Sequence, residues 1–203
     1  MPASTAPESG EVSDSDLVKR CQAGDTRAFD VLVNRYRGKV YAMTYHMIQN
    51  ETEAWDLAQE AFIKAWRAMP NFKLDSAFYT WLYRITHNVT YDWLRKKKIQ
   101  GDGEFDDSHT DHRVAAGAES VARHEPAPDT ALKNAELGAR IHEAIAKLSP
   151  DHKQVILLRE VEGMAYEEIA EIIPCTLGTV MSRLFYARKK LQEMLKDTYE
   201  NAL

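Results

Sequence analysis

Residues 101–130, GDGEFDDSHTDHRVAAGAESVARHEPAPDT, restrict the possible folds of this chain more than any helical motif in it. They hold eight Asp or Glu against two Arg, with Phe105 the only aromatic residue and no Leu or Ile. Such a stretch cannot bury enough apolar surface to offset the entropy of ordering its backbone. A chain of 203 residues must therefore build its cores on either side of it. The segment reads as an acidic linker. Thirty residues span roughly 100 Å when extended and about 30 Å as a free coil, so two modules can work on well-separated sites. His109, His112 and His124 read as solvated loop histidines rather than a metal site.

On both sides every periodic segment is helical. Ser15 or Asp16 can cap a short helix ending near Gly24, and Asp25 then caps a long one with Phe29, Leu32, Val33, Tyr36, Val40 and Met43 on one side. Residues 52–68 repeat the pattern through Ala54, Leu57, Ala58, Ala61, Phe62, Ala65 and Trp66, leaving Asp56, Gln59, Glu60 and Lys64 opposite. The loop Pro70 to Leu74 breaks the series, and Asp75 or Ser76 opens a helix reaching about Lys98. Beyond the linker a helix over 130–147 leads to Ser149-Pro150, a capping serine with proline at the first helical position. That helix runs to about Glu162 and stops at Gly163. No strand-like alternation occurs, so the expected fold is all-α. The expected organisation is a disordered tail (1–14), a helical domain (15–98), the linker (99–130) and a second helical domain (131–203).

Composition excludes several function classes. The net charge is −5, so any nucleic-acid binding must come from local patches. Cys21 and Cys175 show no CxxC or Cys/His spacing, which argues against a zinc knuckle or a disulfide scaffold and fits a reducing compartment. The N-terminus lacks the basic and apolar parts of a signal peptide, and no apolar run approaches the roughly 18 residues of a membrane span. A soluble cytoplasmic protein is expected. No nucleophile–base pairing, P-loop or metal-ligand cluster is present, so neither an enzyme nor a cofactor is expected.

Two stretches carry chemistry. Met164 to Leu191 contains a short helix with inward Ile169, Ala170, Ile172 and Ile173, stopped at Pro174. In the next helix Leu177, Val180, Leu184, Ala187 and Leu191 step by three and four. Ser182, Phe185, Tyr186 and Lys189 then point outward. Thr179, Arg183 and Lys190 lie on one flank, with Met181 and Arg188 on the other. The pair fits a helix-turn-helix entering a major groove, or an ordinary helical hairpin with a solvated face. The second stretch, Phe78 to Lys98, packs six aromatic and five basic residues into twenty-one positions, with Asp92 the only acid. Cations neutralise phosphates, and exposed rings stack unpaired bases at about 1–3 kcal/mol each. The alternative is an aromatic core helix with a basic end.

Four blocks in order, DLAQEAFIKAW (56–66), SAFYTWLYRITHN (76–88), LSPDHKQVILLREVEGMAYEEIAEII (148–173) and GTVMSRLFYARKKL (178–191), resemble the extracytoplasmic-function class of bacterial sigma factors, most closely its envelope-stress branch. The resemblance covers residues 15–195. It implies a protein that binds core RNA polymerase, selects promoters at an upstream and a downstream element, and starts melting them to express a stress regulon. It also implies an anti-sigma factor as partner. By the same resemblance Asp56, Gln59, Glu60 and Lys64 would dock on the clamp coiled coil of the largest polymerase subunit. Phe62 and Trp66 belong to the core. The linker resembles the acidic segment that occupies the polymerase's RNA channel.

Phe72, Lys73, Phe78, Trp81, Asn88 and Tyr91 would take part in reading the downstream element and capturing a flipped base, with Arg95, Lys96, Lys97 and Lys98 holding the backbone. Thr176, Gly178, Thr179, Met181 and Phe185 would belong to the upstream-reading face, with Ser182, Arg183 and Tyr186 nearest the bases. Arg188 and Lys189 would contact phosphates. The chain departs from the family where Met181 and Tyr186 replace frequent basic residues, which removes two potential guanine readers. It departs again at Ala165, where a capping Ser or Thr is common and its loss costs about 1 kcal/mol. Two other classes are a polymerase-independent helix-turn-helix regulator and a sigma mimic that occupies polymerase or an anti-sigma factor. The lack of a ligand or receiver domain counts against the first, and the basic tract Arg95–Lys98 against the second.

Overall fold

The computed structural model describes residues 12–99 and 128–196. Most of the expected linker and of the expected tail, with His109, His112 and His124, lies outside the described residues. The chain divides into two compact units, and the described residues are helical with no strand.

In the N-terminal unit Ser13, not Ser15 or Asp16, caps α1 (Asp14–Gln22) by accepting the Asp16 N–H. Helix α1 thus begins inside the expected tail. Asp25 caps α2 (Thr26–Ile48) by accepting from Arg27 and Ala28, and its carboxylate also holds Arg20 at 2.7 Å. That hydrogen bond from Arg20 keeps the Asp25 carboxyl below its ordinary range. Gln49 closes α2 in the left-handed region, and Asn50 caps α3 (Glu51–Ala68). The half-buried Asp14 carboxylate accepts from Arg35 and Tyr36, pinning α1 to α2. Burial first, and then that carboxylate, raise the Tyr36 phenol above its usual range.

A 3₁₀ turn over Met69–Asn71 follows α3, and α4 spans Phe78–Ile99. Helix α4 opens later than Asp75 or Ser76 would place it, and its first backbone bond runs from Trp81 N–H to Ala77 O. The delay comes from the loop itself. Leu74 sits at φ 59 yet packs on the core, so the backbone is still turning where a capping residue was expected. Leu17, Val18, Leu32, Val40, Ala58, Ala61, Ala65 and Leu82 form the buried centre.

In the C-terminal unit α5 spans Pro128–Ala146, starting inside the expected linker, and α6 spans Pro150–Ile156. Ser149 has extended backbone ahead of Pro150, but its hydroxyl makes no capping bond. Helix α6 continues as a π-helical turn over Leu157–Val161, where Glu162 N–H reaches Leu157 O. Gly163, at φ 70, then lets Met164 N–H close back on Leu158 O, a reversal a β-carbon would strain. Helix α7 spans Tyr166–Ile172 and α8 spans Leu177–Met194. Although Ala165 cannot cap α7 with a hydroxyl, Glu168 accepts the Ala165 N–H at 2.8 Å. Half of the reciprocal capping arrangement therefore survives. Val180, Leu184 and Ala187 seat α8, whereas Leu177 at the helix start is exposed, against the expected inward stripe.

Lys153 on α6 is only 2% exposed, and burial pushes its ammonium down to about 8. Between that value and the ordinary 10.5 the folded chain binds fewer protons than the unfolded one. The cost of the buried charge is therefore present in full below pH 8 and fades as pH rises toward 10.5. Lys153→Met should unfold at a higher temperature than wild type near neutrality. Thermal melts of the two proteins from pH 7 to 10.5 should converge as the pH rises.

Candidate nucleic-acid interface

Two helices carry the candidate DNA-binding residues, and their exposed faces differ in chemistry. Helix α4 buries Phe78, Thr80, Trp81, Leu82, Tyr83, Thr86, His87, Val89 and Thr90. Thr86 and Thr90 donate their hydroxyls back to Leu82 O and Thr86 O, which satisfies polar groups inside a packed helix. Exposed on the other side are Arg84, Asn88, Asp92, Arg95, Lys96 and Lys98. Asp92 is tied to Arg95 at 2.9 Å, so the acid in this face is already neutralised.

The expected stacking rings are placed differently from the reading of the sequence. Phe72, Phe78 and Trp81 are 7%, 3% and 8% exposed and belong to the core cluster. Phe72 lies nearly parallel to Trp81, with ring centroids 4.5 Å apart, and Phe78 meets Trp81 at 5.8 Å and Tyr36 at 5.6 Å. These rings seat the loop; they are not free platforms for bases. Lys73 is exposed, and Gln22 donates to the carbonyls of Met69 and Phe72, fixing the backbone beside it. Tyr91 is half-buried, its ring 4.4 Å from that of His87. Arg84, one turn ahead of Asn88, was not among the expected residues, although a three-to-four step from Asn88 through Arg95 points to it.

Helix α8 begins at Thr176, whose hydroxyl accepts the Thr179 N–H at 3.2 Å and meets the Thr179 hydroxyl at 2.9 Å. Thr176 is thus a cap. Gly178 has ordinary helical geometry, and a β-carbon there would meet nothing nearer than the Thr176 hydroxyl at 3.9 Å. Met181, Ser182, Phe185, Tyr186 and Lys189 are exposed, as expected, and Phe185 and Tyr186 meet edge to face at 5.3 Å. Ser182 donates to Thr179 O.

Arg183 is different. Its side chain is only 25% exposed and binds Asp151 of α6 at 2.8 Å, turned away from the face it was expected to serve. Arg188 holds Glu160 through two nitrogens at 2.6 and 3.0 Å. The Glu160 bond, then one with Tyr166, keeps its guanidinium above the ordinary value. Arg159 lies 4.9 Å over the Tyr166 ring and donates to Met164 O at 2.7 Å. Arg183 and Arg188 thus brace α8 against its own module, while Arg159 holds the turn that leads into α7.

On α3, Asp56, Gln59, Glu60 and Lys64 are all exposed, with Lys64 paired to Glu60 at 2.8 Å. Asp56 and Gln59 border a groove of about 320 Å³ lined also by Val33, Arg37, Trp55, Ala58 and Phe62. Trp55, half exposed and stacked on Tyr41 at 4.2 Å, escaped the sequence reading because helical periodicity alone does not separate rim from core. Phe62 is core, but Trp66 remains 36% exposed against Phe29. Among the described residues no group of His, Cys, Asp and Glu could hold a metal ion, and no helix is long and apolar enough to cross a membrane.

Comparison with known proteins gives each module a relative. Residues 32–99 match the family model of sigma-70 region 2, and residues 138–191 match that of sigma-70 region 4. The RNA polymerase sigma-H factor of Pseudomonas aeruginosa is 40% identical over 93% of this chain and 97% of its own length. The ECF RNA polymerase sigma-E factor of Escherichia coli K12 is 36% identical over the same shares. Among solved structures, the sigma factor RpoE of Bartonella quintana, determined with the anti-sigma factor NepR, is 28% identical with a TM-score of 0.64 over 83% of this chain and 96% of that one.

If the Arg183–Asp151 pair braces α8, a double-mutant cycle with alanine at both positions should give a coupling of about 0.5–1 kcal/mol, the range of partly exposed pairs. Arg183→Ala should lower the melting temperature, whereas Lys189→Ala should leave it unchanged.

Proposed function

This chain belongs to the extracytoplasmic-function class of sigma factors, and from that membership we propose how its two modules share the work of starting transcription. It is an alternative sigma factor that binds core RNA polymerase, recognises an upstream and a downstream promoter element and begins to open the DNA. The observation that carries this reading is the location of the two cationic helices: α4 falls within the region 2 match and α8, through Leu191, within the region 4 match. On α4 the one exposed acid, Asp92, is tied to Arg95, and α8 carries no acid from Leu177 through Gln192.

Residues 15–98 form the module for polymerase and the downstream element, and 131–203 the module for the upstream element, joined through 99–130. Asp56, Gln59, Glu60 and Lys64 contact polymerase, with Trp55 and the groove beside it. Asn88 and Tyr91 hold an unpaired base, while Lys73, Arg84, Arg95, Lys96, Lys97 and Lys98 restrain the backbone. Phe72, Phe78 and Trp81 act by seating the loop that carries Lys73. On α8, Gly178, Met181, Ser182, Phe185 and Tyr186 enter the major groove and Lys189 meets phosphate, with Thr176, Thr179, Arg183 and Arg188 setting the helix in place. The protein itself performs no catalysis and works in the cytoplasm, where polymerase and promoters are. The solved complex of the relative RpoE with the anti-sigma factor NepR supports a partner of that kind.

Run-off transcription with core polymerase on a promoter library tests the function. Added alone, the chain should give no specific footprint at physiological salt, because its DNA-binding groups are divided over two modules. A tight footprint without polymerase would instead support an independent regulator. On a responsive promoter, Tyr91→Ala should bind closed DNA nearly as wild type does but open fewer permanganate-reactive thymines, and a pre-melted bubble should restore its transcription. Lys189→Ala should weaken the first complex, with no rescue by the bubble.

A further inference from the structure

From residue 176 to residue 192 the chain has four cations, Arg183, Arg188, Lys189 and Lys190, and no acid, although the chain as a whole carries −5. A surface of that sign suits a polyanion. The middle of the exposed face is nevertheless apolar, with Met181 49%, Phe185 63% and Tyr186 58% exposed. Met181 and Phe185 are four residues apart, on one side of the helix and about 6 Å along its axis. The guanidinium groups that could grip guanine in pairs are committed elsewhere, Arg183 to Asp151 and Arg188 to Glu160. Lys189 lies beyond the apolar side chains, toward the helix C-terminus.

A duplex offers one apolar group at the base edges of its major groove, the C5-methyl of thymine. We propose that α8 reads its promoter element through thymine methyl groups packed on Met181 and Phe185, with Tyr186 at the edge of that contact, and not through guanine-gripping arginines. The inference rests on the upstream-reading role given to this helix. It adds the identity of the bases read: A·T pairs with thymine on the strand facing Met181 and Phe185, one or two steps apart. Lys189 and Lys190 supply sequence-independent attraction to the flanking phosphates.

The test uses the full chain reconstituted with core polymerase. Duplexes randomised through the upstream element are selected for binding, and the winner is resynthesised with deoxyuridine replacing each thymine in turn, which removes only the methyl group. Losing a buried methyl should weaken binding about 3–5-fold at the contacted positions. Met181→Ala should erase that sensitivity at one thymine and Phe185→Ala at a neighbouring one. Lys189→Ala should weaken every duplex alike and keep the pattern. Both apolar side chains are exposed, so the variants should melt as wild type does.

If deoxyuridine has no effect while 7-deazaguanine at a selected guanine weakens binding, methyl reading is overturned and the sigma-factor reading stands. If selection yields no upstream preference but transcription still starts from the downstream element, the α8 face does not read bases, and a protein partner becomes its occupant. If no template supports transcription with core polymerase, the function reading itself fails.

Discussion

The flat contact of Phe72 on Trp81 holds the N-terminal module's loop against the core of its helices. Phe72 sits at the end of the 3₁₀ turn and Trp81 in the first turn of α4, so their stacking draws the intervening residues against the bundle. Phe78 closes the group against Tyr36 of α2, and Gln22 of α1 ties down the loop carbonyls. Leu74 can hold a left-handed backbone only because its side chain is anchored in the same core. The consequence is a division of labour within one aromatic-rich sequence. Buried rings fix the shape, and the surface is left to Lys73, Arg84, Asn88 and the cations beyond them.

The C-terminal module solves a related problem with ion pairs. Helix α8 must present one side outward while being held by only a few small and branched apolar residues, Val180, Leu184 and Ala187. Arg183 and Arg188 reach from opposite flanks to Asp151 and Glu160, which lie at the start of α6 and in the π-helical turn that follows it. These pairs contribute little stability each, since their partners are half exposed. They do restrict rotation of the helix about its axis, which decides which side chains face outward.

Much of the fold was legible in the sequence because helical period, proline and glycine act locally. Asp25, Gly163 and Pro174 marked ends and breaks without reference to tertiary contacts. Ser13 displaced Ser15 because its hydroxyl accepts from Asp16, and two serines two positions apart cannot be ranked by type alone. The sites were less legible. A tryptophan such as Trp81 has the same composition signature whether it stacks on bases or on Phe72. An arginine such as Arg183 reads as a free cation until Asp151, 32 residues away in sequence, is brought beside it. Arg84 and Trp55 were missed for the complementary reason, since exposure on a helix depends on what the other elements cover.

The acid-free stretch of α8 sits in a chain that is negative overall, and this sets two opposing ranges of force. At low ionic strength a DNA duplex approaching from a distance feels the whole chain and is repelled. At physiological salt, charges more than about 8 Å apart are largely screened, so only the local cations are felt at contact. Added salt therefore weakens the contact by reducing counterion release but also weakens the repulsion that hinders approach. The association rate of this chain with DNA should then pass through a maximum with rising salt, unlike that of a uniformly basic DNA-binding protein, which falls throughout.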